Sequence, residues 1–334
     1  MFQVTNLITS NTCDPPKFYV SIEQDYCTLT KEVAVAYGTK FGRFWISGKD
    51  ALDLLNRIST QQIDNLKQNE VSFTVQTTNK GRIIDFLTVI NLGDRLLIFT
   101  ALEAKERVME SIDFFSFDDD VRLHDCTAET QIHQLMGHKA PIKIMSVLED
   151  ESNVPDLFTA KEIIINNEKI IIIRTDRAKI PTYEILSTYP SKVIDSKIKS
   201  MKIPFVGTEA LEILRIEAGV PAYGSELSEK FNPIEAGLFN SISFEKGCYV
   251  GQEVVARLNT YDKVKRELIR LNWSEPGIQK GDIIFSKDKE IGEVTSCVMK
   301  MNRSYIGLGY ITRNSNLDVI KIGLNKVSAN TLKI

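Results

Sequence analysis

The sequence is short of the residues that usually staple or metallate a protein. Its 334 residues include five cysteines and three histidines. The cysteines, Cys13, Cys27, Cys126, Cys248 and Cys297, form no C-x-x-C pair and are odd in number. A disulfide framework is therefore not the organising device, and free thiols in a reducing compartment are the expectation. No set of residues is marked out for a metal. His124, His133 and His138 all lie far from Cys248 in sequence, so a cysteine–histidine hydrolase has no local support. No apolar run approaches the roughly 20 residues a bilayer span requires, so no membrane association is expected. The start, "MFQVTNLITSNTCDPPKF", has neither a basic and apolar leader nor an Arg-rich transit pattern, which makes the cytoplasm the expected address.

An excess of one charge is also missing. Lys and Arg number 41 against 44 Asp and Glu, a net charge of −3. Direct DNA binding is not expected from that balance. The lysines of "SKVIDSKIKSMK", residues 191–202, alternate with Ile and Val at helical spacing and read as the solvated face of a helix. There is no low-complexity segment and no tandem repeat. What remains is a globular composition, 43% hydrophobic and 25% charged, in a chain long enough for two domains or more.

Turn residues divide the chain into elements. "KEVAVAYG" and "GRFWISG" read as strands bounded by Gly, and Asp50 precedes the helix-like "ALDLLNRIST". Residues 71–100 read as a meander of three strands, turning at Asn79-Lys80-Gly81 and at Asn91–Asp94. "LEAKERVMESIDFF" is an amphipathic helix with Leu102, Val108, Met109 and Ile112 on its stripe. "KEIIINNEKIIIIRT" reads as a hairpin turning at Asn166-Asn167-Glu168, and "TYEILST" as a strand. "VGTEALEILRIEAGVPAYG" reads as a helix from Thr208, with Leu211, Leu214 and Ile216 on one stripe and Gly219 closing it before Pro221. Beyond Asp262, "KRELIRLNW", "GDIIF", "EIGEVTSCVM" and "SYIGLGYI" are short, closely spaced strands of a small barrel or sandwich. A domain boundary is expected near residues 261–265. Cys297, inside one of these strands, reads as a packing residue.

One stretch resists a packing explanation. In "SISFEKGCYVGQEVVARL", residues 241–258, Cys248 sits between Gly247 and Gly251, with Lys246 before it and Gln252 and Glu253 after it. The thiolate is the reactive form of cysteine, and at an ordinary pKa only about 3% is ionised at pH 7. An ammonium about 6 Å away supplies about 0.7 kcal/mol in water and about 3 kcal/mol at an effective dielectric of 20. In an extended segment Lys246 and Cys248 would project to the same side, so that Lys246 could activate the thiol. Glycines leave room for a close approach, Gln252 can donate and accept, Glu253 is a carboxylate and Arg257 a planar fork. A strand with a buried thiol remains the alternative.

"KGCYVGQEVVAR" resembles the K-G-C-[FY]-x-G-Q-E signature of YgfZ-type proteins, folate-binding relatives of the glycine-cleavage aminomethyltransferase. Further similarity lies in "ISGKDALDLLNRISTQQI", "TTNKGRIIDFLTV" and "EILRIEAGVPAYGSEL…NPIEAGL", motifs shared with the wider aminomethyltransferase superfamily. The resemblance implies an α+β, aminomethyltransferase-like folate-binding fold of strand meanders with packed helices, plus the small C-terminal β-barrel. It would occupy residues 1–262 as two interleaved subdomains, and the barrel residues 263–334. It implies tetrahydrofolate or a derivative as cofactor. It implies Cys248 as the functional thiol, with Lys246, Gly247, Tyr249, Gly251, Gln252, Glu253 and Arg257 as its loop. Glu217 would face the pterin, with Asp85, Arg215 and Tyr223 around the same pocket; Arg215 could instead pair with an acidic neighbour on its helix. In the aminomethyltransferases two successive aspartates stand where this chain reads Asp85-Phe86, which puts aminomethyl transfer in doubt. The function implied is a folate-dependent factor that supports iron–sulfur proteins and thereby tRNA modification, with iron–sulfur client or assembly proteins as transient partners. The alternatives are a tetrahydrofolate-dependent aminomethyltransferase and a non-catalytic folate-binding scaffold.

Overall fold

The computed structural model describes residues 15–300 and 303–334; the N-terminal reading and Cys13 lie outside them. In chain order the elements are α1 (Ile22–Lys31), β1 (Ala34–Tyr37), β2 (Phe41–Ser47), α2 (Ala51–Ile58), β3 (Val71–Thr77), β4 (Ile83–Asn91), β5 (Leu96–Ala101), α3 (Lys105–Phe115), β6 (Arg122–Asp125), β7 (Thr130–Met136) and α4 (Ala140–Leu148). There follow β8 (Ala160–Ile165), β9 (Glu168–Arg174), β10 (Thr182–Thr188), α5 (Val193–Ser200), α6 (Thr208–Ala218), α7 (Gln252–Thr260), β11 (Arg266–Trp273), β12 (Ile283–Ser286), β13 (Lys289–Met299), β14 (Tyr305–Thr312), β15 (Ile320–Ile322) and β16 (Val327–Lys333).

The chain forms two compact units, each built from two segments. One comprises the described residues up to Phe41 together with Asp125–Leu211. Its sheet runs β1-β7-β10-β9-β8, with antiparallel pairing throughout. Val35, Leu135, Ile170, Ile172, Tyr183 and Ile185 face α4 and α5, which contribute Ile144, Val147, Ile194 and Ile198 to the same core. In α5 the lysines surround two buried isoleucines, so that face is a solvated one.

The second unit comprises Gly42–His124 and Glu212–Ile334. Its open sheet, in the order β3-β4-β5-β2-β6, holds the predicted meander of β3, β4 and β5 running in from one edge. The register Val71↔Ile90 through Gln76↔Asp85 fixes β3 on β4, and Thr88↔Phe99 begins β4 on β5. Leu54, Leu55 and Ile58 of α2 and Val108 and Ile112 of α3 cover one face. Leu102, expected on the stripe of α3, lies in a 3-10 turn before it and is exposed. The register of the turn, not hydrophobicity, decides its position.

The last six strands close into a barrel in the order β11-β14-β13-β12-β15-β16, with β16 returning to β11. Its interior holds Ile269, Leu271, Trp273, Ile284, Val294 and Ile322. Short strands separated by turn residues bury alternate side chains, and closure leaves no free edge. Cys297 packs half-buried against this core.

Candidate functional site

The glycine–cysteine stretch is not a strand. After a 3-10 turn at Phe239–Ser241 the chain runs as turns and bends to Gly251, where α7 begins. The extended geometry that would set Lys246 beside Cys248 on one side is therefore absent. The physical reason is that three separate anchors, none local, hold this segment.

The first anchor is Lys246. It is buried at 8% exposure, and its Nζ donates to the carbonyl oxygens of Asn56, Ser59 and Gln61 at 2.5, 2.9 and 2.8 Å. These carbonyls close the C-terminal end of α2, where unpaired acceptors collect and a cation is favoured. Three ammonium protons meet three acceptors, so none is left for a thiolate. Burial lowers the ammonium to about 8, with Asp64 opposing the shift. Lys246 therefore pins the loop rather than activating Cys248. Its Nζ also lies 5.3 Å from the centre of the Tyr249 ring. Tyr249 is itself buried, which pushes its hydroxyl up to about 12.

The second anchor is the paired loop around β3. Thr77 Oγ1 donates to the Val250 carbonyl at 2.6 Å, and the Val250 N–H donates to the Arg57 carbonyl at 3.1 Å. Thr60 reaches across to Ser241, its Oγ1 donating to that carbonyl at 2.5 Å, while Ser243 donates its N–H back to the Thr60 carbonyl at 2.9 Å.

The third anchor is Gly251. Its φ is +84°, and a Cβ there would stand 2.5 Å from the Thr78 carbonyl oxygen. Only glycine meets both conditions without strain. Gln252 and Glu253, expected in the loop, form the first turn of α7, and Arg257 stands exposed in its last turn. Gln252 Nε2 reaches back to the carbonyls of Lys246 and Gly247, at 3.4 Å each.

Between these fixed points Gly247 and Cys248 are exposed, and no atom lies within 4 Å of where a Gly247 Cβ would be. The loop is thus rigid at both ends and open at the thiol.

The other expected residues fall into separate environments. Asp85, on β4, is buried; its Oδ2 accepts from the Thr100 hydroxyl and from the Ala101 N–H, the latter at 2.7 Å. Burial pushes its carboxyl up, opposed by those hydrogen bonds. Phe86 stacks on Phe73 with ring centres 5.7 Å apart. Tyr223 packs half-buried on the same core as Val250. Glu217, in the last turn of α6, forms an ion pair with Lys300. Arg215 is committed elsewhere: it forks onto Glu212, one turn earlier, and donates to the Val220 carbonyl at 2.7 Å, to Glu226 at 3.1 Å and to Ser296 at 2.9 Å.

Glu226 was not singled out from the sequence. It is fully buried, and it accepts from Arg215, the Ala222 N–H, Thr295 and Ser296. Its backbone carbonyl accepts from the Tyr310 hydroxyl at 2.9 Å. The segment after α6 is thereby fastened to the barrel. An ordinary "SEL" turn carries no sign of this, because its barrel partners Thr295, Ser296 and Tyr310 lie 69, 70 and 84 residues away.

Among the described residues no group of three or more His, Cys, Asp or Glu side chains could hold a metal ion. No described helix is long and apolar enough to cross a membrane.

Comparison with known proteins agrees with this architecture. The chain is 30% identical over 283 residues to an aminomethyltransferase of Aquifex aeolicus, covering 84% of this chain and 76% of that one. It is 32% identical over 303 residues to a chloroplastic protein of Arabidopsis thaliana classed as a transferase of unstated substrate, covering 85% of this chain and 66% of that one. The glycine cleavage system aminomethyltransferase T of Bartonella henselae superposes with a TM-score of 0.84 at 17% identity, over 96% of this chain and 90% of that one. That likeness shows an aminomethyltransferase-like fold. The GCVT N-terminal domain family matches residues 6–246 and stops two residues short of Cys248, so the thiol lies outside the matched segment. Matched over most of its length, the chain belongs to the GCVT family.

Proposed function

We propose that this protein is a folate-dependent factor that supports the assembly or repair of iron–sulfur proteins, and through them tRNA modification, with Cys248 as its working group. The observation that carries the reading is the exposed thiol on a loop pinned by the buried Lys246 and Tyr249. Such a loop presents sulfur to a partner at little ordering cost, because its ends are already fixed. A cluster normally takes four ligands, so a single thiol suits a transient bond to iron in a client's cluster or a redox step. The free state of Cys27, Cys126, Cys248 and Cys297 fits a reducing compartment such as the cytoplasm.

For tetrahydrofolate the residues fit unequally. Glu217 is half-buried and borders a cavity of about 380 Å³, and its carboxylate can accept two hydrogen bonds from a pterin edge once Lys300 yields. Tyr223, half-buried, offers a ring and a hydroxyl. Asp85 is enclosed by β4 and β5, and Arg215 has spent its donors within the protein. Bound tetrahydrofolate would supply nitrogen atoms able to carry a one-carbon unit; the chain's part is to hold its pterin edge.

Aminomethyl transfer is the second reading, supported by the aminomethyltransferase relatives. Against it stands Phe86, stacked where a second carboxylate would be needed. Complementation of a strain lacking such a factor separates the readings. Wild type should restore iron–sulfur enzyme activity, and Cys248→Ala and Glu217→Ala should not. Full restoration by Cys248→Ala removes the thiol role. Turnover of an aminomethylated carrier protein favours the second reading. Absence of binding heat with tetrahydrofolate removes folate from both.

A further inference from the structure

The outer face of the barrel carries a guanidinium with no acid to answer it. On β11, Arg270 and Asn272 are two residues apart and point to the same side. The register sets Leu332 opposite Arg270 and Asn330 opposite Asn272 on β16, and Ile306 opposite Asn272 on β14. With Ile216 and Glu217 of α6, and Lys300, they border the cavity of about 380 Å³.

Within it Lys300 is neutralised by Glu217. Arg270 is not neutralised. Its Nη1 donates to the Glu217 backbone carbonyl at 2.5 Å, and its buried Nε has no partner. Among the described residues the Arg270 side chain forms no ion pair and makes no second hydrogen bond. A buried N–H without an acceptor is rare. The planar fork is shaped for a carboxylate or a phosphate. Beside it stand the amides of Asn272 and Asn330, while Ile306 and Leu332 supply apolar wall. That lining suits an anion on a partly apolar carrier better than a bare inorganic ion.

We propose that this cavity is a binding site for a small organic carboxylate, with Arg270 as its counter-ion and Asn330 as a neighbouring hydrogen-bond partner. The carboxylate comes from a free small acid or from the glutamyl end of a folate. The site does not depend on the role given to Cys248.

The test is calorimetric titration of the full chain with glutarate, tetrahydrofolate, 6-methyltetrahydropterin (which has no carboxylate) and inorganic phosphate. The proteins are wild type, Arg270→Gln, and Asn330→Leu, which blocks the cavity from an exposed strand position without removing charge. Arg270→Gln should weaken a carboxylate ligand about tenfold or more and leave 6-methyltetrahydropterin unchanged. Loss for glutarate identifies a free acid as the carrier, and loss for tetrahydrofolate alone identifies the glutamyl end. Glutarate binding with no tetrahydrofolate binding supports this site while removing the folate reading. Unchanged carboxylate affinity in folded Arg270→Gln, or in Asn330→Leu should the first variant not fold, overturns the proposal. Phosphate binding as tight as glutarate overturns the carboxylate class.

Discussion

Lys246 is buried and Cys248, two residues later, is exposed. One neighbour serves the interior and the other serves the surface, although both belong to the same short motif. The consequences can be measured one residue at a time.

Among the described cysteines, Cys248 should be the fastest thiol to react in the native state. Cys126 is fully buried, and Cys27 and Cys297 are half-buried. Maleimide labelling followed by peptide mapping should place the first label on Cys248. Cys248→Ala should change stability by no more than about 0.5 kcal/mol, as for an exposed substitution. A label on Cys27, Cys126 or Cys297 ahead of Cys248 would remove the open-thiol geometry.

Lys246→Met should destabilise by about 2–4 kcal/mol, since it strands three carbonyls that now share an ammonium. Urea unfolding gives the difference. The same variant tests a pH effect. Lys246 titrates at about 8 when folded and at about 10.4 when unfolded. Between those values the unfolded chain holds a proton that the folded chain has lost, so stability rises with pH. Wild type should gain stability over that window relative to Lys246→Met. A flat difference would mean that the carbonyl cage, not burial, sets the proton affinity.

Gly251→Ala should cost about 1–3 kcal/mol, because φ is +84° and the new methyl meets the Thr78 carbonyl. The loop is pinned beside it through Val250, so Cys248 labelling should change as well. Wild-type stability together with wild-type labelling would contradict the third anchor.

Glu226→Ala should destabilise by about 3–5 kcal/mol, the loss expected when one partner of a buried ion pair is removed. Arg215, Thr295 and Ser296 would lose their shared acceptor. Calorimetric melting of the full chain provides the measurement. A shift as small as that of a surface substitution would show the network to be dispensable.

Legibility from the sequence follows locality. The strands from Val71 to Ala101 are evident because Asn79-Lys80-Gly81 and Asn91–Asp94 interrupt alternating apolar runs, and the observed β3, β4 and β5 differ from the reading by a residue or so at their ends. Strands β11 to β14 are legible for the same reason. Other elements escape notice, among them α7, β15 and β16, and for three more the reason is plain. Helix α1 buries only Asp25 and Leu29, too little for a stripe. Strand β7, "TQIHQLM", buries its polar residues because it lies between β1 and β10. Helix α4 is apolar on too many sides to show a period.

At the candidate site the sequence by itself determined which atoms are present: one sulfur between two glycines, an ammonium before it, an amide and a carboxylate after it. It also determined where the backbone could bend, because only glycine accepts φ of +84° against a carbonyl. Tertiary structure alone decided which way those atoms face. The acceptors that draw Lys246 inward belong to Asn56, Ser59 and Gln61, 185 to 190 residues earlier, and Thr295 and Ser296, which bind Glu226, lie on β13, 69 and 70 residues later. A buried charge goes where its hydrogen-bond partners are, and partners that distant come together only when the chain folds.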